Sequence, residues 1–327
     1  MAKPVLLVTR KLPDAIEARA ARDYDARLNP QDEGWATSGA EIARRAKEAG
    51  AAGILGAAGD RLDAACIDAL PASVKIITTF SVGYDHIDTA AAKARGLAVS
   101  NTPDVLTDAT ADIAMTLLLM VARRTGEGER HVRAKAWTGW RPTHMLGTQV
   151  SGKTLGLVGM GRIARAVAQR AHHGFGMRVI FHDPYPPSPE LARSLGAEPR
   201  DRLEDVLGEA DFVSLHCPAT PETRHLMDRE RLALMRPEAF LINTARGDVV
   251  DEAALVEALQ GRRLAGAGLD VFEREPQVSE TLIGMENVVL LPHLGSATTE
   301  TRVAMGMRAV ENLRLFFAGQ PLRDRVV

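Results

Sequence analysis

Residues Leu155 to Ala168 read LGLVGMGRIARAVA, a short apolar run that meets glycines and continues at once into helix-forming residues. The pattern predicts a buried strand, a tight turn and a helix. Within it, Gly159-Met160-Gly161-Arg162-Ile163-Ala164 has the form G-x-G-x-x-A, placed where the strand gives way to the helix. That context is typical of a dinucleotide-binding turn: Gly159 permits the turn, Gly161 lets the backbone approach a pyrophosphate, and Ala164 lets the helix pack on the strand. The pyrophosphate is then expected at the free N–H groups of the helix N-terminus.

A carboxylate follows the next predicted strand. The predicted strand Arg178–His182 is followed by Asp183, about 20 residues after the motif. This is the spacing of the residue that accepts hydrogen bonds from the ribose hydroxyls of NAD. A carboxylate there also repels the 2′-phosphate of NADP, so we expect NAD as the cofactor with NADH preferred. The alternatives are that Asp183 only opens the turn before Pro184, or that nearby basic residues such as Arg178 still admit NADPH.

Length and composition indicate a globular protein of two domains. The chain has 327 residues, of which 46% are hydrophobic and 25% charged, and its net charge is −2 at pH 7. This balance gives no sign of a nucleic-acid or membrane surface. The two cysteines fit no disulfide framework and no metal-ligand spacing, so we expect no bound metal. The cysteine usage also fits a reducing compartment, and the N-terminal apolar run is too short for a signal peptide. We therefore expect a cytoplasmic protein.

Strand and helix patterns alternate along the chain, which predicts α/β domains with parallel sheets. The two predicted strand series are Pro4–Thr9, Gly53–Leu55, Lys75–Thr79 and Leu97–Ser100, then Thr154–Val158, Arg178–His182, Phe212–His216, Phe240–Asn243, Gly266–Leu269 and Val288–Leu291. Because the last predicted helix follows the second series and is expected to return to the first, we predict one domain inserted into the other. The predicted crossovers lie near Pro103 and His293, and a cleft between two domains is a common ligand site.

Three helices and one irregular stretch complete the prediction. The helices are Gly39–Ala49, Leu106–Arg123 and Ser296–Ala318. Between the second helix and the second strand series, Thr125–Gln149 is polar and lacks clear periodicity.

Ionisable residues follow three predicted strands of the second domain. Arg246 follows Phe240–Asn243, Glu275 follows Gly266–Leu269, and His293 follows Val288–Leu291. The carboxyl ends of parallel strands face the ligand crevice of such a sheet. Reduction of a 2-oxo acid by hydride transfer needs a fork that holds the carboxylate, a stabiliser of charge on the carbonyl oxygen and a proton donor near neutral pH. Arginine and histidine suit these tasks, and a carboxylate beside a histidine favours the imidazolium.

Together these segments resemble the D-isomer-specific 2-hydroxyacid dehydrogenase family along essentially the whole chain. The matching segments are SVGYDHID (81–88), NTPDVLTDATAD (101–112), KTLGLVGMGRIARAVA (153–168), NTARGDVVDE (243–252), GAGLDVFEREP (266–276) and NVVLLPHLGSAT (287–298). A further segment, GWRPTHMLGTQVSGKT (139–154), is similar to the glyoxylate and hydroxypyruvate reductase branch. The resemblance implies two Rossmann-like domains, with an NAD-binding domain (104–293) inserted into a flavodoxin-like substrate domain (1–103 and 294–327).

The resemblance also implies a role for each matching residue. Arg246 would hold the substrate carboxylate, His293 would be the acid and base, and Glu275 would pair with His293. The backbone of Val82 and Gly83 would contact the substrate carboxylate. Cofactor contacts are implied for Thr110, Gly159, Met160, Gly161, Arg162, Ile163, Asp183, Cys217, Pro218, Thr244, Ala245, Asp270 and Gly295, with Ala164 in place of the commoner third glycine.

Several alternatives stay open at this level. Glu273, two residues before Glu275, is a second candidate partner for the histidine. The expected substrate is glyoxylate or hydroxypyruvate, with 2-ketogluconate, phosphohydroxypyruvate or another 2-oxo acid as alternatives. Members of the family usually form homodimers through the NAD-binding domain. Trp137 or Trp140 would either anchor the partner, bordering its active site, or pack on its own domain. An NAD-sensing co-regulator without turnover is the rival functional class.

Overall fold

The computed structural model describes residues 2–31 and 38–327 and consists of alternating strands and helices. The strands are β1 (Val5–Val8), β2 (Asp25–Arg27), β3 (Gly53–Ala57), β4 (Ile76–Phe80), β5 (Ala98–Ser100), β6 (Thr154–Val158), β7 (Arg178–His182), β8 (Ala197–Pro199), β9 (Phe212–Leu215), β10 (Phe240–Asn243), β11 (Gly266–Leu269) and β12 (Val288–Leu290).

Helices connect nearly all of these strands. They are α1 (Asp14–Asp23), α2 (Gly39–Ala49), α3 (Ala64–Ala69), α4 (Thr89–Ala94), α5 (Thr107–Ala122), α6 (Thr125–Arg133), α7 (Arg162–Gln169), α8 (Pro189–Ser194), α9 (Leu203–Glu209), α10 (Arg229–Leu234), α11 (Glu252–Gln260), α12 (Glu280–Ile283) and α13 (Thr299–Phe317). In the part of the chain that is described, no helix is both long and apolar enough to cross a bilayer.

The chain divides into two compact units. The first unit comprises residues 1–106 and 297–327, and the second comprises residues 107–296. In the first unit the strand order is β2-β1-β3-β4-β5 and every strand pair is parallel. Helix α13, from the last segment of the chain, packs on α1 and β4 of this unit.

The second unit is built on a sheet of order β12-β11-β10-β9-β6-β7-β8, again parallel throughout. From β6 the chain moves outward to β7 and β8, then returns to form β9 on the other side of β6. This reversal is the topological switch point, where open α/β sheets bind ligands at the carboxyl ends of their strands. The G-x-G-x-x-A motif follows β6 and therefore lies at that point. The predicted fold class, α/β with two parallel sheets, is confirmed.

Alternate residues of the second sheet enter two separate cores. Leu155 and Leu157 belong to the core that includes α5 and α7, whereas Val158 belongs to the core formed with α9, α10 and α11. This is the period-two alternation of a strand buried on both faces. Gly268 of β11 lets α5 approach closely, since a side chain there would lie 2.9 Å from Cβ of Leu117. The apolar residues of α5 are therefore packing residues.

Two elements differ from the sequence-based expectation. Residues 125–133, expected to be irregular, form the helix α6, whose side chains are not buried. Two pairs with helical spacing, Arg124 with Glu127 and Glu129 with Arg133, stabilise it despite the two glycines it contains. The short strands β2 and β8 were not predicted, because both are polar three-residue strands at the edges of their sheets.

Candidate active site

The turn after β6 leaves open space in front of a helix N-terminus. Gly159 has a φ of +90°, and a side chain there would lie 3.0 Å from the backbone of His216 and Cys217. Gly161 precedes α7 directly, and a side chain there would meet no atom of the described residues within 4 Å. The N–H groups of Gly161 and Ile163 have no acceptor among the described residues, as expected for the first turn of a helix. The turn can therefore bind an anion such as a pyrophosphate.

Asp183 lies beside this turn, immediately after β7. Its Oδ2 atom accepts a 2.6 Å hydrogen bond from the Met160 amide, and its Oδ1 atom accepts one of 2.7 Å from the Tyr185 amide. The Met160 side chain itself is buried in the core, so only its backbone faces the site. A carboxylate has about four acceptor positions, so Asp183 retains capacity for hydroxyl groups of a ligand.

Thr244, directly after strand β10, carries a buried polar atom. Thr244 is only 8% exposed, and among the described residues its hydroxyl has no hydrogen-bond partner. Such an atom costs free energy unless a ligand or water satisfies it. Cys217 and Pro218 follow β9 in the same way, and burial raises the pKa of the Cys217 thiol to about 11, so this thiol is protonated at neutral pH. Together with the open glycine turn, these groups fit a nicotinamide dinucleotide.

Arg246 is placed by the turn that leaves β10. The side-chain amide of Asn243 donates a 2.8 Å hydrogen bond to the Arg246 carbonyl, and its oxygen accepts one of 3.0 Å from the Ala245 amide. The Arg246 guanidinium donates from Nη1 to the Ala245 carbonyl at 2.8 Å. The next residue, Gly247, fits directly against the turn after β11, because a side chain at 247 would lie 1.9 Å from the Phe272 carbonyl group.

Glu275 and His293 meet at the ends of β11 and β12. Nδ1 of His293 lies 2.9 Å from Oε2 of Glu275, and the other carboxylate oxygen accepts a 3.1 Å hydrogen bond from the Phe272 amide. With Nδ1 facing a carboxylate, that nitrogen carries a proton and donates it. The His293 side chain is 42% exposed, and its Nε2 atom has no partner within the described residues. Nε2 is therefore the nitrogen available to a ligand.

The charges of the three groups are coupled. Burial raises the pKa of Glu275, but the hydrogen bond and charge of His293, the Phe272 amide and the charge of Arg246 outweigh burial and leave that pKa below its ordinary value. The structure thus brings both Arg246 and His293 within electrostatic range of Glu275. An apolar recess of about 360 Å³, lined by Phe272, Pro276, Val278, Ile283, Leu290 and Leu291, has Glu275 and His293 in its wall.

A buried carboxylate holds the segment that carries His293. Asp270 accepts hydrogen bonds from the amides of Leu294 (2.6 Å) and Gly295 (2.7 Å), and burial raises its pKa. Thr110 of α5 donates a 3.0 Å hydrogen bond to the Gly295 carbonyl. Three of the residues expected to contact a cofactor, Thr110, Asp270 and Gly295, therefore form one cluster that fixes the position of the histidine.

In the first unit, the loop after β4 contains two backbone amides, of Val82 and Gly83, that can donate hydrogen bonds to a ligand. Asn101 donates to the Val82 carbonyl at 2.7 Å, and Ser81 donates to the Gly83 carbonyl at 2.6 Å. The amides of Val82 and Gly83 have no acceptor in the described part of the chain. With the carbonyls fixed and the amides free, the loop can donate hydrogen bonds to a carboxylate.

The structure separates the two candidate glutamates. Glu273 does not face His293: its Oε1 atom lies 3.0 Å from Nε2 of His225, a residue that sequence analysis did not single out. No motif marks His225, since it is one histidine in a polar connecting segment with no partner near it in sequence. Only the folded chain shows that it belongs beside the site.

Comparisons with known proteins show the family to which the chain is similar. A model of the D-isomer specific 2-hydroxyacid dehydrogenase NAD-binding domain matches residues 115–295. The chain is 44% identical over 322 residues to a glyoxylate reductase of Thermococcus litoralis, covering 97% of this chain and 95% of that protein. It is 40% identical over 319 residues to a glycerate dehydrogenase of Hyphomicrobium methylovorum, covering 98% of each. Among solved structures, an NADPH-dependent glyoxylate/hydroxypyruvate reductase of Sinorhizobium meliloti in complex with NADP and malonate matches with a TM-score of 0.88 and 35% identity, over 100% of this chain and 97% of that one.

Proposed function

Because the chain belongs to the D-isomer-specific 2-hydroxyacid dehydrogenase family, we propose that it reduces glyoxylate and hydroxypyruvate to the corresponding 2-hydroxy acids with NADH. The family membership and the oxidoreductase class predicted from the motifs are confirmed. The choice of substrate is supported by relatives named glyoxylate reductase and glycerate dehydrogenase, each similar over nearly the whole chain.

The contact between Glu275 and His293, with Arg246 in electrostatic range, is the observation that carries the proposal. When bound, the dinucleotide supplies the hydride that reduces the carbonyl carbon. Protonated His293 donates its Nε2 proton to the carbonyl oxygen, and Glu275 stabilises the imidazolium until that transfer. In the reverse reaction neutral Nε2 accepts the proton from the hydroxyl group.

Arg246 binds the substrate carboxylate and polarises the adjacent carbonyl. A planar guanidinium holds a carboxylate through two parallel hydrogen bonds, which also fixes the orientation of the 2-oxo group. The free amides of Val82 and Gly83 are proposed as further donors to the same carboxylate. Positive charge beside the carbonyl oxygen stabilises the charge that develops there during reduction.

Residues around the glycine turn are proposed to bind the cofactor. The amides of Gly161 and Ile163 would bind the pyrophosphate, and Asp183 would accept hydrogen bonds from ribose hydroxyls and disfavour a 2′-phosphate. In this arrangement the cofactor would be the hydrogen-bond partner of the Thr244 hydroxyl, which has none among the described residues. The remaining proposed contacts are Thr110, Gly159, Met160, Arg162, Cys217, Pro218, Ala245, Asp270 and Gly295.

The protein is also proposed to be a cytoplasmic homodimer. After α6 the chain exposes large apolar side chains: Trp137 is 55% and Trp140 is 81% exposed. Tryptophans of this kind are the anchors of protein interfaces, and a second copy of the chain is the proposed partner. Light scattering should give a dimer mass, and Trp140→Ala should increase the dissociation constant. A concentration-independent monomer would contradict the proposal.

The substrate is tested by following the absorbance of NADH and NADPH separately with a panel of acids. The panel contains glyoxylate, hydroxypyruvate, pyruvate, 2-ketogluconate and phosphohydroxypyruvate. Fast oxidation of NADH with either of the first two acids is the expected result. Turnover of only another acid would show that the proposed substrate is wrong, while the proposed mechanism would still apply. Tight dinucleotide binding without turnover of any acid would favour an NAD-sensing regulator.

A further inference from the structure

We propose that His225 and Glu273 are a second histidine–carboxylate pair that positions Arg246 relative to Glu275 and His293. The inference rests on the proposed function and adds two positioning residues to it. Nε2 of His225 and Oε1 of Glu273 lie 3.0 Å apart, and the two side chains are 32% and 21% exposed. The pair is thus a partly buried contact between two segments far apart in sequence.

One side of the pair is attached to the turn that carries Arg246. The His225 amide donates a 2.7 Å hydrogen bond to the Asp248 carbonyl, and the Met227 amide donates one of 3.0 Å to the Val249 carbonyl. His225 also has a φ of +49°, in the left-handed region that is uncommon for residues other than glycine. The segment around His225 therefore moves together with the turn that follows Arg246.

The other side of the pair belongs to the turn that carries Glu275. Glu273 is two residues before Glu275, and the Glu273 amide donates a 3.3 Å hydrogen bond to Glu252 of α11. The two turns touch where Gly247 meets the Phe272–Glu273 peptide, with no room for a side chain between them. The backbone contact fixes their separation, and the contact of His225 with Glu273 limits rotation of one turn against the other.

The pair also keeps a competing carboxylate away from the site. Glu273 is close enough in sequence to Glu275 that either carboxylate could approach His293 or Arg246 in a loosened turn. With His225 as its partner, Glu273 is held on the other side of the turn. Glu275 then remains the carboxylate that contacts His293.

The experiment compares His225→Ala with His225→Gln, whose amide nitrogen can take the place of Nε2 as a donor. Loss of one positioning hydrogen bond should raise the KM for glyoxylate about 10-fold in His225→Ala, with kcat within about 3-fold of wild type. The dissociation constant of NADH, from its fluorescence, should stay within about 2-fold. His225→Gln should recover most of the KM. Oxalate, a carboxylate that is not reduced, should bind more weakly to His225→Ala in the presence of NADH, which tests the site without turnover.

A double-mutant cycle tests whether the two residues act together. Glu273→Ala should raise the KM as His225→Ala does, and the double variant should add little, since both changes remove the same contact. His173→Ala, which removes an exposed imidazole elsewhere in the second unit, is the matched control and should leave all constants unchanged.

Three results would overturn the inference. An unchanged KM and unchanged oxalate binding in an active His225→Ala enzyme would show that the pair does not position Arg246. Equal losses of NADH and glyoxylate binding without recovery in His225→Gln would show a general structural role. A wild-type chain that neither reduces a 2-oxo acid nor binds oxalate would overturn the proposed function itself, and this inference with it.

Discussion

His293 and Glu275 contact each other through Nδ1 and Oε2 at 2.9 Å, while the backbone of His293 has a φ of +58°. A left-handed histidine is uncommon outside positions that the surrounding structure holds in place. Here the next two amides are bound by the buried carboxylate of Asp270. The imidazole is thus oriented from its backbone on one side and from Glu275 on the other, and Nε2 faces outward.

The charge of Glu275 should determine the pH range of reduction. Glu275→Gln keeps an acceptor but removes the negative charge that stabilises the imidazolium, the form that donates a proton in reduction. Activity on the alkaline side of the kcat/KM profile should therefore fall at a lower pH than in wild type. The profile is measured with glyoxylate and NADH from pH 5 to about 9. Glu273→Gln, two residues away, is the control and should keep the wild-type pH profile. An unchanged profile in Glu275→Gln would contradict the pairing of Glu275 with His293.

The ability of Arg246 to form two parallel hydrogen bonds should affect kcat/KM more than its charge does. Arg246→Lys retains a cation but cannot form two parallel hydrogen bonds with a carboxylate, so kcat/KM for glyoxylate should fall by about 100-fold or more. Binding of NADH, measured by fluorescence, should change little. Arg229→Lys, which alters an exposed arginine paired with Glu257, is the control and should retain full activity. Wild-type kcat/KM in Arg246→Lys would exclude Arg246 as the carboxylate ligand.

Asp183 should determine cofactor preference. Asp183→Asn keeps an oxygen that can accept from the Met160 amide but removes the charge that repels a 2′-phosphate. The ratio of kcat/KM for NADPH to that for NADH should rise by roughly 10-fold or more, since one unit-charge repulsion near the surface is about 1–2 kcal/mol. Steady-state kinetics with both cofactors measure this ratio. If wild type already prefers NADPH, the role assigned to Asp183 is wrong.

The two glycines of the turn after β6 should respond differently to alanine. Gly161→Ala adds a methyl group that meets no atom of the described residues within 4 Å, so the melting temperature should stay within about 2 °C while NADH binding weakens. Gly159→Ala forces a side chain into the left-handed region and against the backbone at 216–217, so the free energy of unfolding should fall by about 1–3 kcal/mol. Unaffected NADH binding in Gly161→Ala would contradict a pyrophosphate at this turn.

The thiol of Cys217 should be unreactive at neutral pH. Burial raises its pKa to about 11, so the thiolate fraction is small at pH 7 and grows with each unit of pH. Alkylation at Cys217, followed by mass spectrometry, should be slow at pH 7 and accelerate steadily through pH 9 and about 10. NADH should slow it if Cys217 lines the cofactor site. Cys66, buried in the first unit, is the internal control that NADH should not protect. Rapid alkylation at pH 7 would contradict the raised pKa.

Much of the fold could be predicted because its signals are local. The strands Thr154–Val158, Arg178–His182, Phe240–Asn243 and Gly266–Leu269 were predicted with the bounds that the structure has. Each has an apolar centre and is followed by a glycine, an aspartate or a polar turn, which is typical of a buried strand in a parallel sheet. The polar edge strands and helix α6 lack that pattern, since their stability comes from pairing with a neighbouring strand or from charge pairs.

Less of the candidate site could be predicted from local sequence patterns. The motifs and the family resemblance pointed to Arg246, Glu275 and His293, with Glu273 kept as an alternative to Glu275. The choice depends on which way the turn after β11 presents each side chain, and the contacts of Glu273 with His225 and of Glu275 with His293 exist only in the folded chain. The free hydroxyl of Thr244 has no sequence signal, because burial and the absence of a partner are properties of the fold.

The sequence by itself determined the alternation of strands and helices, the position of the glycine turn after β6 and the family to which the chain belongs. These follow from residue periodicity and from backbone requirements that act over a few neighbouring residues. Only the tertiary structure showed the contact of Glu275 with His293, how Asp270 holds the segment after that histidine, and that His225 lies beside the turn of Arg246. Those relationships join residues 18 to 48 positions apart, and their distances are set by the packing of whole strands and turns.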